Sequence, residues 1–162
     1  MCSITWLAKY SRMQRASFRT QVIIKVPQEK VFSYVSDLSR HGEWSSDPIE
    51  IAVIESTPQK IGDCYHSIAQ SHRVTFRSEL VVTEYAPSSR FAFVGQDSTG
   101  RVEHLFTFRA DGKDTRVERQ MQFDVNFMQW LAYLAVVYPV RIPSARRTLQ
   151  LLKAKLEESY QR

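Results

Sequence analysis

The sequence predicts an α+β domain, a curved seven-stranded antiparallel sheet wrapped on a long C-terminal helix. Three observations carry this. Seven runs of alternating, β-branched and aromatic residues are separated by short turn signals; two short helical patterns interrupt them once, after the first run; and a helical face at four-three-four spacing follows the last run. Connections this short make successive strands antiparallel neighbours. A sheet that curls on one helix encloses a space between them. The 162 residues suffice for one domain that buries roughly 70% of its extended surface. With 43% hydrophobic and 24% charged residues, five Gly and six Pro, the composition excludes disordered, collagen-like and low-complexity chains.

Residues 1–17 read as a basic extension preceding a domain over 18–162. In the extension Trp6, Tyr10 and Met13 fall at i, i+4 and i+7, with Lys9, Arg12 and Arg15 between them. A short amphipathic helix for a membrane surface or partner is one reading; a frayed leader is the other. Phe18–Val26 is the first strand, closed by Pro27, which also suits the first turn of the helix Gln28–Asp37. Val31, Phe32, Tyr34 and Val35 give that helix a broad apolar stripe. A second short helix covers Ser39–Trp44 and stops at Ser45-Ser46-Asp47-Pro48. Strands follow at Ile49–Ser56, Cys64–Gln70, Arg73–Tyr85, Arg90–Gln96, Arg101–Arg109 and Thr115–Val125. The end is helical in two pieces, Asn126–Tyr138 and Ser144–Tyr160, interrupted by Pro139 and Pro143. Ala145, Leu149, Leu152 and Leu156 form one buried face of the second piece. The first piece is apolar nearly all round, so its second face suits either core or a partner copy.

Alternation assigns each strand two faces. Val117, Met121 and Phe123 share one face of the last strand, against Glu118, Gln120 and Gln122, and Arg119 has the inner parity. Val102, His104, Phe106 and Phe108 form the inner set of the preceding strand. A hairpin centred on Asp111-Gly112 pairs residues whose numbers sum to about 223, setting His104 opposite Arg119 and Phe106 opposite Val117. Phe91 and Phe93 fall on one face of their strand, and Val74, Phe76, Ser78, Leu80 and Val82 on the matching face of theirs. The inner wall is thus aromatic and aliphatic, with His104, Arg119 and Ser78 as its few polar groups. Such a wall suits a hydrophobic small molecule. An inward arginine needs an anion, a carboxylate or water; the alternatives to ligand contact are an ion pair with Glu103 or Glu79 for Arg119 and a backbone carbonyl for His104.

Charge and motifs remove other classes. The net charge is +5, but residues 1–20 carry +4, residues 21–140 carry −3 and residues 141–162 carry +4. Basic residues on a tail and a terminal helix, without a stripe interleaved with aromatics, argue against nucleic acid. Cys2 and Cys64 cannot build a disulfide framework and read as free thiols in a reducing cytoplasm. No secretory signal precedes Lys9, and Phe127–Val140 is too short to span a bilayer, so the expectation is a soluble cytoplasmic protein without a transmembrane segment. Cys64-x-His66 supplies two metal ligands where a site needs more, and no P-loop, Rossmann loop, G-x-S-x-G, HExxH or paired CxxC is present. No metal or cofactor is expected. Glu43 and Asp47 near Trp44 read as solvated loop charges or as carboxylates at a cavity mouth.

The ordered set Pro27-x-Glu29-Lys30-Val31-Phe32-x-Tyr34-Val35-x-Asp37, Trp44, Gly62, Tyr85-Ala86-Pro87-x-x-Arg90-Phe91 and Gly112-x-x-Thr115-Arg116-Val117 resembles the START/Bet v 1-like (SRPBCC) superfamily in its polyketide cyclase/dehydrase-like branch. The likeness covers residues 18–160. It implies a helix-grip fold with a deep hydrophobic cavity, in proteins that bind lipids, sterols, quinones, polyketides or hormones, only some being enzymes. The extension 1–17 and the two prolines depart from the pattern. The leading expectation is a binder of a lipid, polyketide or isoprenoid-like molecule. Phe76, Ser78, Phe91, Phe93, Phe106, Met121 and Trp44 would contact it, and His104 and Arg119 would hold its polar end. The alternative is a cyclase or dehydratase with His104 as acid/base, its pKa near neutrality, and Arg119 stabilising an enolate. A third reading is an adaptor acting through residues 1–17 and Phe127–Tyr138. Monomer and homodimer are both open.

Overall fold

The computed structural model describes residues 14–56, 60–71, 74–97, 100–125 and 138–161. Seven strands, β1 (Gln14–Ile24), β2 (Ile49–Glu55), β3 (Cys64–Ser71), β4 (Val74–Ala86), β5 (Arg90–Asp97), β6 (Gly100–Asp111) and β7 (Asp114–Val125), form one sheet. Their order is β1-β7-β6-β5-β4-β3-β2, and every adjacent pair is antiparallel. Helix α1 (Gln28–Val35) and a 3-10 helix (Leu38–Glu43) carry the chain from β1 at one edge to β2 at the other. Helix α2 (Tyr138–Gln161) closes the described chain. The seven expected strands, the two short helices and the terminal helix are all present in the expected order.

The first strand begins at Gln14, four residues before the expected start, and so enters the stretch read as an extension. Its buried residues Ala16, Phe18, Val22 and Ile24 alternate with exposed ones, which is why the pattern extends backwards without a break. The remaining residues 1–13, with Trp6, Tyr10, Met13 and Cys2, lie outside the described residues, as does the expected helix piece up to residue 137. Helix α1 ends at Val35 rather than Asp37, because the Asp37 side chain instead accepts from the backbone N–H of Ser39, at 3.2 Å, and caps the 3-10 helix. The expected break at Pro139 falls at the start of α2, where a missing N–H removes no helical bond; Pro143, one turn on, lies inside the helix.

The β6–β7 hairpin corrects the expected register. Asp111 pairs Asp114 across Gly112-Lys113, so paired numbers sum to 225: His104 faces Met121, and Arg119 faces Phe106. The tight turn needs a left-handed residue, and Gly112, with φ +65°, supplies it one position later than the assumed centre. Because the slip is two residues, every side chain keeps its face.

The sheet curls, with irregularities in register between Val82 and Glu84 on β4 and between Val53 and Glu55 on β2. Its concave side holds the main core, in which Ile24, Val31, Leu38, Trp44, Phe91, Phe106 and Phe108 are at most 2% exposed. Leu149, Leu152 and Leu156 of α2 enter the same cluster with Ala145 one turn earlier in a smaller one, realising the expected helix face. Lys153 Nζ donates to the carbonyl of Ile23 at 2.9 Å, and the backbone N–H of Lys25 donates to Glu157 at 2.7 Å. These bonds strap α2 across the end of β1.

Candidate functional site

Between the sheet and the first turns of α2 the core is not filled. A cavity of about 230 Å³ lies there. Its apolar wall comes from Phe76 and Leu80 of β4, Phe93 of β5, Val102 of β6, and Met121 and Phe123 of β7, with Ile49 and Ile51 from β2. Small residues leave the room: Ser67, Ala69 and Ser78 on β3 and β4, Gly95 on β5, and Ala145 and Thr148 on α2.

At one end three nitrogen-bearing side chains converge. Arg119 is 5% exposed, and its guanidinium donates to Nδ1 of His104 at 2.8 Å. That bond makes Nδ1 the acceptor, so the neutral His104 carries its proton on Nε2. The imidazole stacks flat on Phe93, with centroids 4.5 Å apart and planes 7° from parallel. The Arg119 guanidinium carbon lies 5.3 Å from the centroid of the Phe106 ring, its cross-strand partner. His41 is the third group. It comes from the 3-10 helix, packs edge-on against Trp44 at 4.1 Å, and faces Phe93 at 6.3 Å. Gly42 allows this approach, because a Cβ there would run into the carbonyl oxygen of Ile49.

Burial decides the protonation of this end. It pushes His41 down to about 3, with the Arg119 charge adding to the effect. Burial first, then Arg119, His41 and Arg141, hold His104 well below the usual histidine range. The expectation of a near-neutral His104 is therefore corrected, since neither desolvation nor a cation at hydrogen-bond distance favours an imidazolium. Burial also lowers Arg119, to about 10, which leaves it charged at neutral pH. No carboxylate among the described residues pairs with it. Glu103, an expected partner, instead meets Arg101 at 3.8 Å. Arg119 Nε, His41 Nδ1 and Trp44 Nε1 are buried without a hydrogen-bond partner.

The opposite end is polar and half-exposed, with Ser45, Ser46, Asp47, Asp97 and Gly100 on its rim, and Arg141 and Ser144 of α2 beside them. Hydroxyls join the two sides: Thr148 donates to Ser46 Oγ at 2.9 Å and accepts from its backbone N–H at 3.2 Å, and Ser46 Oγ lies 2.9 Å from Ser144 Oγ.

Of the residues singled out from the sequence, Phe76, Ser78, Phe93, His104, Arg119 and Met121 lie together on the cavity wall. Phe91, Phe106 and Trp44 do not. All three point inward but are packed into the main core, where α1, the 3-10 helix and α2 occupy the space in front of them. Asp47 reaches the rim, whereas Glu43 is turned outward to Arg40, Lys155 and Tyr34. His41 was missed. Its signal was the three-residue spacing to Trp44, one turn of a 3-10 helix, which puts the two on one face. Cys64 is buried, its thiol donating to the carbonyl of Gly62 at 3.4 Å, and the described residues contain no cluster of three groups that could hold a metal. Among them no helix is long and apolar enough to cross a membrane.

Comparison with known proteins bears on the fold and the family. The family described as polyketide cyclase / dehydrase and lipid transport matches residues 15–157. No curated protein shows significant sequence similarity. Among solved structures, a protein from Thermus thermophilus superposes with a TM-score of 0.74 at 17% identity, covering 89% of this chain and 99% of that one. The Zhui aromatase/cyclase from a Streptomyces species gives 0.70 at 10% identity, with 89% and 94% covered. Ara h 8.0201 gives 0.64 at 13% identity, with 88% and 98% covered. At these identities the likeness establishes a shared helix-grip fold.

Proposed function

The chain belongs to the polyketide cyclase/dehydrase and lipid transport family, and on that premise we propose that it binds a hydrophobic small molecule in the hollow between the sheet and α2. The observation that carries this reading is the cavity itself: an apolar wall of Phe76, Leu80, Phe93, Val102 and Met121 with a few polar groups gathered at its ends. Native cores are packed nearly as tightly as organic crystals, so a lined hollow of about 230 Å³ beside the packed Phe91, Phe106 and Leu149 is unusual. Affinity would come from burying apolar ligand surface, at about 25 cal/mol per Å².

The arrangement supports binding over cyclisation. A general base is most effective with a pKa near the working pH, and His104 is held far below it, with Nδ1 occupied by Arg119. His104→Gln separates the two. A binding protein keeps ligand affinity within a few-fold, whereas an enzyme using His104 as its base loses about 10² to 10⁴ in turnover. The adaptor reading rests on residues outside the described set.

The direct experiment is native mass spectrometry of freshly purified protein, followed by solvent extraction and identification of whatever is released. A stoichiometric apolar molecule supports the proposal. An empty protein that also fails to take up small apolar probes overturns it.

A further inference from the structure

We propose that the ligand is an amphipathic acid whose single carboxylate seats on Arg119, with His104 and His41 as flanking groups. This rests on the reading that the hollow takes a hydrophobic small molecule, and it adds the chemistry of the ligand's head.

The head follows from what surrounds Arg119. The guanidinium is buried, charged and without a carboxylate partner among the described residues; it spends one donor on His104, and its Nε has no acceptor. A cation taken out of water without an anion is unstable relative to one that has it. The remaining N–H groups form the planar fork that matches a carboxylate. The neighbours reinforce the sign. His104 presents Nε2–H as its remaining polar hydrogen, and Nδ1 of the neutral His41 is buried without a partner, a donor in one tautomer and an acceptor in the other. With the Arg119 cation and the His104 N–H, this end suits an anion better than an amine.

The two carboxylates on the wall are at the other end. Asp97 lies four residues along β5 from Phe93, about 13 Å at 3.3 Å per residue, and accepts from the backbone N–H of Gly100 at 3.1 Å. Asp47 lies in the loop before β2. Arg141 shares that rim, so its charges are mixed, whereas the inner end holds the Arg119 cation without a carboxylate; an anionic head is therefore favoured at the inner end. One buried arginine balances one charge, which suits a carboxylate better than a doubly charged phosphate.

The test measures binding of octanoate, 1-octanol and octylamine by calorimetry at neutral pH, to the unmodified protein and to Arg119→Met. We expect octanoate to bind at least ten-fold more tightly than 1-octanol, and octylamine to bind most weakly. Arg119→Met should keep 1-octanol binding while octanoate falls to the level of the alcohol. If octanoate and 1-octanol bind the unmodified protein equally, the acid-binding assignment is wrong although the apolar pocket stands. If none of the three binds, the pocket reading itself fails and the inference falls with it. The comparison on the unmodified protein decides the matter even if Arg119→Met does not fold.

Discussion

The two halves of the space between sheet and helix share the same strands and the same helix, yet one is solid and the other hollow. In the solid half Phe91, Phe106, Phe108 and Trp44 meet Leu149 and Leu152 of α2, each at most 2% exposed. In the hollow half the corresponding inner positions hold Ser78, Gly95 and Ser67, and α2 presents Ser144, Ala145 and Thr148. The change happens within two turns of one helix. The cavity is thus a consequence of side-chain volume at a few inward positions and not of the fold's outline, which a full core would satisfy equally well.

Four outcomes would break or sharpen that contrast. The largest is in the solid half: Phe106→Ala should cost about 3–5 kcal/mol, read as a drop in the urea midpoint, because no room exists for neighbours to relax into. A cost under about 1 kcal/mol would mean that half is also loosely packed. Second, the hollow half carries its cost as a pH dependence. The folded protein holds His41 neutral to about pH 3, while an unfolded histidine takes its proton near 6.5. Between those values the unfolded chain binds more protons, so this contribution is complete above pH 6.5 and is lost as the pH falls. Two units of acidification remove about 3 kcal/mol through His41 alone, at roughly 1.4 kcal/mol per unit, and His104 acts in the same direction. Urea melts from pH 7 to 4.5 should show that slope, and His41→Gln should flatten it. Third, Ser78→Leu should fill space rather than crowd it. It should raise stability by about 0.5–1 kcal/mol in thermal melts, while weakening uptake of an apolar probe at least ten-fold. A destabilised variant with unchanged uptake would place Ser78 against packed neighbours. Smallest is the control away from both halves: Arg116→Ala, which breaks the exposed 2.9 Å pair with Asp111, should change stability by about 0.2–1 kcal/mol.

The contrast also explains what was legible in the sequence. Strand faces were legible because alternation survives an even register slip, so Arg119 and His104 were placed on the wall although their pairing was off by two residues. The register was not legible, because it turned on which residue of the hairpin adopts the left-handed conformation at Gly112. Inward parity likewise could not separate Phe93 on the cavity from Phe91 and Phe106 in the core. That difference depends on where α1 and the 3-10 helix come to rest, which alternation along a strand does not encode. His41 was hidden for the same reason, lying in a six-residue helix whose inward face is defined by the sheet beneath it.

The partner strands β1 and β7 are far apart in the chain: Ile24 meets Thr115 and Gln14 meets Val125, separations of 91 and 111 residues. At 5–20 residues per second, a ribosome needs about 5–20 s to make the second partner after the first. During that interval the emerging polypeptide holds β1 without its only neighbour in the sheet, and α2, which supplies one wall, is made later still. The hollow between sheet and α2 can therefore take shape only once nearly the whole domain has been synthesised.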